Sequence, residues 1–88
     1  MTTDASILYN ELKQLVITEC DKEEITISDI SDSEQLIGGP LGLDSLDALQ
    51  ICMAVQKHYG VRIEGGPSAR KSLRSIHSLA ETILSHRN

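Results

Sequence analysis

The sequence predicts an all-α fold, a four-helix bundle of three main helices and one short helix. Three stretches repeat apolar residues at the three- and four-residue spacing of a helix that is buried on one face. The 88 residues are 40% hydrophobic, yet they include only two Tyr and no Trp or Phe, so we expect an aliphatic core. All six Gly and both Pro lie from Gly38 onward and indicate breaks between helices. A chain of this length corresponds to a single domain, residues 1–88, with its core at about 5–85.

The first helix is predicted to begin at a cap formed by Thr3 or Asp4 and to run to about Glu19. No Gly or Pro interrupts this segment. Its apolar side chains follow the spacing of one buried stripe. They are Leu8, Leu12, Leu15 and Val16.

A long connection, residues 21–43, separates the first helix from the second. Ile25 and Ile27 alternate with polar residues, but no second convincing strand exists to pair with them, so we predict no sheet. We expect these isoleucines to pack on the bundle instead, together with Ile30, Leu36 and Ile37. The segment Ser31–Glu34 matches a capping box and predicts one helical turn around 32–37. A loop this long within a compact domain is often functional.

The second helix, predicted from Ser45 to about Tyr59, has the clearest pattern, and Gly60 is well placed to end it. At 100° per residue, one side of this helix is predicted to be core. That side holds Ala48, Leu49, Cys52, Val55 and Tyr59, with Ile51 at its edge. The opposite side is predicted to be exposed. It holds Asp47, Gln50, Ala54 and Lys57, with Leu46 and Met53 at its margin.

The last quarter of the chain predicts two helices after the break at Gly65-Gly66-Pro67. A short one spans about Ser68–Leu73, with basic side chains on its outer surface. These are Arg70, Lys71 and Arg74. Ser75 is a suitable N-cap for the final helix, which ends near His86. Its predicted buried stripe is Ile76, Leu79, Ala80, Ile83 and Leu84.

Charge and composition exclude several classes of function. The formal net charge is −5, which argues against nucleic-acid binding because phosphates would be repelled. Residues 1–64 carry twelve acids and four bases, whereas residues 65–88 carry one acid and four bases. No window approaches the roughly 20 apolar residues of a membrane span, and no signal peptide is recognisable. Cys20 and Cys52 are expected to be reduced, buried thiols. We therefore expect a cytoplasmic monomer without membrane insertion.

Residues 41–47 place a hydroxyl where a loop becomes a helix, in the sequence Leu-Gly-Leu-Asp-Ser-Leu-Asp. Asp44 can accept hydrogen bonds from the amides of the first helical turn, and its charge is favourable at the positive end of the helix dipole. Ser45 is then held by a rigid element but open to solvent. Such a position suits the covalent attachment of a group.

A catalytic role for Ser45 is disfavoured because a serine nucleophile needs a base within hydrogen-bond reach. His58 lies thirteen residues further along the same helix, about 20 Å away. The nucleophile-elbow pattern fails, since Leu43 and Asp47 stand where glycines are required. The histidines and cysteines show no metal-ligand spacing. We predict no catalytic residue, no metal site and no enzymatic activity.

The run of residues 41–47 closely resembles the attachment motif of acyl carrier proteins, most strongly over residues 41–64 and plausibly from about 5 to 85. The resemblance implies that Ser45 receives a 4′-phosphopantetheine arm from coenzyme A, with Asp44 and Leu46 beside it. It implies a phosphopantetheinyl transferase as partner, together with acyl-loading, condensing and acyl-transfer enzymes. The arm would carry acyl groups as thioesters in fatty acid, lipid or related biosynthesis.

The resemblance also implies that the exposed face of the second helix is an acidic and apolar surface for partner enzymes. By position this face is Asp44, Leu46, Asp47, Gln50, Met53, Ala54 and Lys57. Gln50 and Lys57 stand where bacterial fatty-acid carriers usually have acids, and the usually acidic segment 65–71 is basic here. These departures favour a specialised bacterial-type carrier. An aminoacyl, peptidyl or polyketide carrier of the same fold and an unmodified helical adaptor are the alternatives.

Overall fold

A computed structural model describes residues 3–64 and 67–87 of the chain. It contains the helices α1 (Thr3–Glu19), α2 (Ser45–Tyr59), α3 (Pro67–Ser72) and α4 (Ile76–Arg87), and one short 3-10 turn at Ile27–Asp29. Within the described ranges there is no strand, only an isolated parallel bridge between Ile37 and Leu43. The prediction of an all-α bundle with three main helices and one short helix is confirmed. None of the described helices is long and apolar enough to cross a membrane.

Two expectations lie outside the described part of the chain. The predicted break includes Gly65 and Gly66, which are not described. The predicted cap of α1 depends on the side chains of Thr3 and Asp4, which are not described either.

Helix α1 is central to the packing because it contacts both α2 and α4, while α3 packs on α4. The buried side chains of the hydrophobic core are aliphatic, as predicted, with Cys20 at the margin of the cluster. The largest fully buried ones are Leu12, Val16, Leu36, Leu43, Ile51, Val55, Ile76, Leu79 and Ile83. Each such side chain contributes about 1.5–3 kcal/mol relative to remaining in water. The core therefore draws on α1, α2, α4 and the long connection.

Both tyrosines join α1 to a neighbouring helix at the surface. The Tyr9 hydroxyl lies 2.5 Å from His77 Nδ1 at the start of α4. The Tyr59 hydroxyl donates a hydrogen bond of 2.8 Å to Glu11 Oε1 of α1. The aromatic rings thus lie at the rim of the bundle, outside the aliphatic core.

The predicted helical turn around 32–37 is wrong. The one helical turn in this connection lies earlier, at Ile27–Asp29, where the Thr26 amide and hydroxyl both donate to Asp29 Oδ2. Residues 32–36 instead bond to residues just before and within the first turn of α4. The Leu36 amide donates to Arg74 O at 3.0 Å, and the His77 amide donates to Asp32 O at 2.9 Å. These tertiary hydrogen bonds, together with the burial of Leu36, compete with local helix formation.

The predicted orientation of α2 also needs correction. Leu49, assigned to the core side, is 54% exposed, whereas Ala54, assigned to the exposed partner face, is only 5% exposed. Ile51, placed at the edge, is fully buried. The helix is therefore rotated about its axis relative to the prediction. Apolar residues occur on both of its sides, so the periodicity alone did not fix which apolar set faces the bundle.

The C-terminal helices largely follow the prediction. Arg70, Lys71 and Arg74 are exposed, and the Ser75 hydroxyl accepts a hydrogen bond of 3.1 Å from the Ser78 amide, so Ser75 caps α4. The prediction that Leu84 belongs to the buried stripe of α4 is wrong, because its side chain is 41% exposed. It lies in the last turns of α4, near the end of the bundle.

Candidate functional site

The N-terminus of α2 is held by reciprocal hydrogen bonds between two carboxylates and the backbone. Asp44 Oδ1 accepts from the amides of Leu46 and Asp47 at 3.0 and 3.1 Å. In return, Asp47 Oδ2 accepts from the Asp44 amide at 3.0 Å. This capping box satisfies amides that have no partner within the helix. The predicted N-cap role of Asp44 is confirmed, and the backbone at Ser45 is fixed on both sides.

The loop before Ser45 is anchored by its one buried side chain, Leu43, which is 2% exposed. The Gly38 amide donates to Leu43 O at 2.9 Å and closes the loop. Gly42 adopts a φ of +75°, a left-handed conformation that residues with a Cβ rarely adopt. Consequently the chain enters α2 directly from a buried residue, which leaves Asp44 and Ser45 at the surface.

Ser45 is exposed to solvent in the first turn of α2. Among the described residues, no hydrogen bond connects its hydroxyl with an imidazole. His77 is engaged by Tyr9 and by Glu81, whose Oε2 lies 3.3 Å from His77 Nε2. The described residues include no cluster of His, Cys, Asp and Glu that could hold a metal ion. Within the described ranges, the Ser45 hydroxyl is therefore exposed and has no hydrogen bond to a histidine.

A cleft of about 540 Å³ opens beside Ser45, between the start of α2 and the segment of α3. Its lining combines apolar residues with two arginines. The lining residues are Gln35, Ile37, Ser45, Ala48, Ala69, Arg70, Leu73 and Arg74. The sequence placed Arg70 and Arg74 on the outer surface correctly, but nothing in the spacing indicated that they share a cleft with Ser45.

An apolar stripe runs along the exposed face of α2 from the turn that holds Ser45. Leu46, Leu49 and Met53 are 71%, 54% and 58% exposed. Leu49 is the member that the sequence analysis missed. Its spacing from the other two is that of a helical stripe, but an exposed stripe and a buried one have the same spacing.

The remaining predicted members of the partner face flank this stripe. Gln50 and Lys57 are exposed, and Asp47 is partly buried. Ala54 does not belong to the face because it packs into the core. The exposed face of α2 is thus apolar along the helix and acidic at its beginning.

The two cysteines are free thiols and neither is activated. Burial, and next the Asp47 carboxylate, raise the pKa of the Cys20 thiol to about 11. Burial also raises the pKa of the Cys52 thiol. Because the thiolate is the reactive form, these residues are poor nucleophiles and do not form a second reactive centre.

A family model described as a phosphopantetheine attachment site matches residues 10–83, which include most of α1, all of α2 and α3, and most of α4. A comparison with curated proteins gave no match.

Proposed function

Because the chain belongs to the phosphopantetheine-attachment-site family, we propose that it is an acyl carrier protein with its arm attached at Ser45. Family membership makes 4′-phosphopantetheine its covalent cofactor. The observation that supports Ser45 as the attachment residue is its exposed hydroxyl in the first turn of a firmly capped helix. The cleft beside it leaves room for a group bonded to that oxygen.

Attachment requires no catalytic group of this chain. The Ser45 hydroxyl loses its proton and forms a phosphodiester, while coenzyme A releases adenosine 3′,5′-bisphosphate; the transferase supplies the catalysis. When bound, the arm supplies a terminal thiol that holds an acyl group as a thioester. The chain itself fixes the tether point, and tethering raises the local concentration of the acyl group at each enzyme that the carrier visits. Carrier domains of this family are typically non-catalytic, and we propose the same for this protein.

The partners of a carrier are a phosphopantetheinyl transferase and acyl-handling enzymes, and we propose that they dock on the exposed face of α2. The apolar stripe of Leu46, Leu49 and Met53 supplies area that can be removed from water on binding. Asp44 and Asp47 place negative charge beside it, close to Ser45. Basic enzyme surfaces are complementary to this combination.

The cargo is proposed to be an acyl unit of fatty acid, lipid or related biosynthesis, handled by a specialised set of enzymes. Gln50 and Lys57 make this face less acidic than the resemblance implies for general fatty-acid carriers. Arg70 and Lys71 make the neighbouring α3 basic. Both differences alter the surface that an enzyme meets when it approaches Ser45.

Loading by a transferase tests the attachment directly. The apo protein is incubated with coenzyme A and a broad-specificity phosphopantetheinyl transferase, and its intact mass is measured. We expect the wild type to gain the mass of one phosphopantetheine and Ser45→Ala to gain none. Ser33→Ala is the matched control, since Ser33 is also exposed but lies in the long connection. It should be loaded like the wild type.

Other outcomes would identify the alternatives. A folded protein that gains no mass would favour the unmodified adaptor and contradict the carrier proposal. If the loaded protein accepts aminoacyl units from adenylating enzymes but not acyl units, the cargo proposal is wrong and the attachment stands.

A further inference from the structure

Two arginines line the cleft that also contains Ser45. Arg70 lies in the last turn of α3 and Arg74 follows shortly after it. Both side chains are exposed, and in the ranges 3–64 and 67–87 neither forms an ion pair. A guanidinium group is planar and matches the geometry of phosphate oxygens, with which it forms charge-assisted hydrogen bonds.

The other side of Ser45 is unfavourable for an anion. A helix N-terminus usually attracts phosphate through its unpaired amides. Here Asp44 Oδ1 already accepts from the amides of Leu46 and Asp47, and Asp47 Oδ2 accepts from Asp44. A negatively charged group bonded to Ser45 would therefore lie near two carboxylates, and the amides of Leu46 and Asp47 are already occupied. Positive charge is available on the cleft side, from Arg70 and Arg74.

We propose that Arg70 and Arg74 form an anion site for the phosphodiester bonded to Ser45, so that the arm begins in the cleft against α3. This inference rests on the proposed attachment at Ser45. The phosphodiester is favoured over an anionic cargo because it is bonded directly to a residue of the same cleft, whereas a cargo lies at the far end of the arm. The apolar lining from Ala48, Ala69 and Leu73 suits the uncharged part that follows.

Such a site makes the position of the arm depend on salt. Docked against α3, the first part of the arm is held close to the bundle; released, it extends towards an enzyme. Exposed ion pairs are screened at high ionic strength, so salt shifts the equilibrium towards the released arm. An enzyme with its own cation for the phosphodiester would compete with the two arginines in the same way.

The test compares Arg70→Gln/Arg74→Gln with the wild type after complete loading, verified by intact mass. The matched control is Lys71→Gln, which also removes positive charge from α3. Lys71 lines a different cleft, whose lining includes Arg62 and Glu64. Two quantities are measured: the change in amide NMR shifts of Ala69–Leu73 on loading, and the difference in melting temperature between loaded and apo protein at low and high salt.

In the wild type and in Lys71→Gln we expect loading to shift the α3 amides and to raise the melting temperature at low salt, with the rise reduced at high salt. From typical energies of exposed ion pairs, the docking equilibrium constant should fall about 2- to 5-fold for each arginine removed. The double variant should therefore show small, salt-independent effects.

Three results would overturn the inference. A fully loaded double variant that behaves like the wild type overturns this inference alone. So do α3 shifts that appear only when the arm carries a carboxylate-bearing acyl group such as succinyl. Failure of the wild type to gain any mass would overturn both this inference and the attachment at Ser45.

Discussion

At the scale of single residues, Cys20 shows how burial controls reactivity in this small protein. Its side chain is 9% exposed, and its sulfur lies 3.9 Å from the Asp47 carbonyl oxygen. Loss of solvation and the nearby Asp47 charge both disfavour the thiolate, which raises the pKa of Cys20 to about 11. A thiol at the end of a tethered arm would experience neither effect.

We therefore predict that Cys20 resists alkylation in the folded protein. The rise in pKa from 9.0 to about 11 lowers the thiolate fraction at pH 8 by about 100-fold. The rate of reaction with iodoacetamide, followed by peptide mass spectrometry, should be lower by at least this factor than in urea, where both cysteines are unprotected. Equal rates in the folded protein and in urea would contradict the raised pKa of Cys20.

The same shift gives stability a pH dependence. The folded protein holds the Cys20 proton more tightly than the unfolded chain does, so the contribution is fully present below about pH 9 and is lost as the pH rises towards the folded-state pKa of about 11. Urea unfolding across this range should show a falling free energy of unfolding.

At the scale of elements, α2 has two different apolar sides, one for the core and one exposed. Ile51 and Val55 are fully buried, whereas Leu49 is 54% exposed. The bounds of α2 were predictable because Asp44 and Gly60 are strong local signals; Gly60 ends the helix at φ +69° and its amide donates to Gln56 O. Its rotation was not predictable, because it depends on where α1 and Leu43 lie.

A matched pair of truncations tests this rotation. We predict that Ile51→Ala destabilises the protein by about 2–5 kcal/mol because it leaves a cavity in the core. Leu49→Ala, two residues earlier and on the exposed side of α2, should change the free energy of unfolding by no more than about 0.5 kcal/mol. Urea unfolding of the apo proteins measures both. The reverse order of effects would restore the original assignment of Leu49 to the core.

The long connection shows the same limit of local information. Two segments carried capping signals, Thr26–Asp29 and Ser31–Glu34, but only the first forms a helical turn. At the second segment, the Asp32 carbonyl accepts from the His77 amide, 45 positions away, and just after the segment the Leu36 amide donates to Arg74 O, 38 positions away. The sequence correctly predicted that Leu36 packs on the bundle. It could not predict the backbone conformation around Leu36, because that conformation depends on hydrogen bonds to residues far along the chain.

At the scale of the whole molecule, charge is distributed unevenly around Ser45. The main body, residues 1–64, is strongly acidic and the C-terminal quarter is basic. Ser45 was recognisable from the sequence because its motif is local. The cleft was not, because it combines Ser45 with Arg70 and Arg74, which follow it by more than twenty residues and approach only through packing.

We predict that the reduced acidity of the α2 face limits processing by general fatty-acid enzymes. In the loaded protein, Gln50→Glu/Lys57→Glu should raise kcat/KM for such basic enzymes by about 5- to 10-fold at low salt, because complementary charge accelerates association. Gln14→Glu/Arg62→Glu is the control, with the same change in net charge at exposed positions outside the α2 face. An equal response of the two variants would show that net charge, rather than this face, determines the rate.

The positions of the two tyrosines have a practical consequence. The sequence has two Tyr and no Trp or Phe. Each tyrosine forms a hydrogen bond between α1 and another helix, Tyr9 with His77 and Tyr59 with Glu11. Near-ultraviolet absorbance and intrinsic fluorescence of the unlabelled protein therefore come from the contacts of α1 with α2 and α4. Optical spectroscopy can follow the separation of that helix from its neighbours without any introduced chromophore.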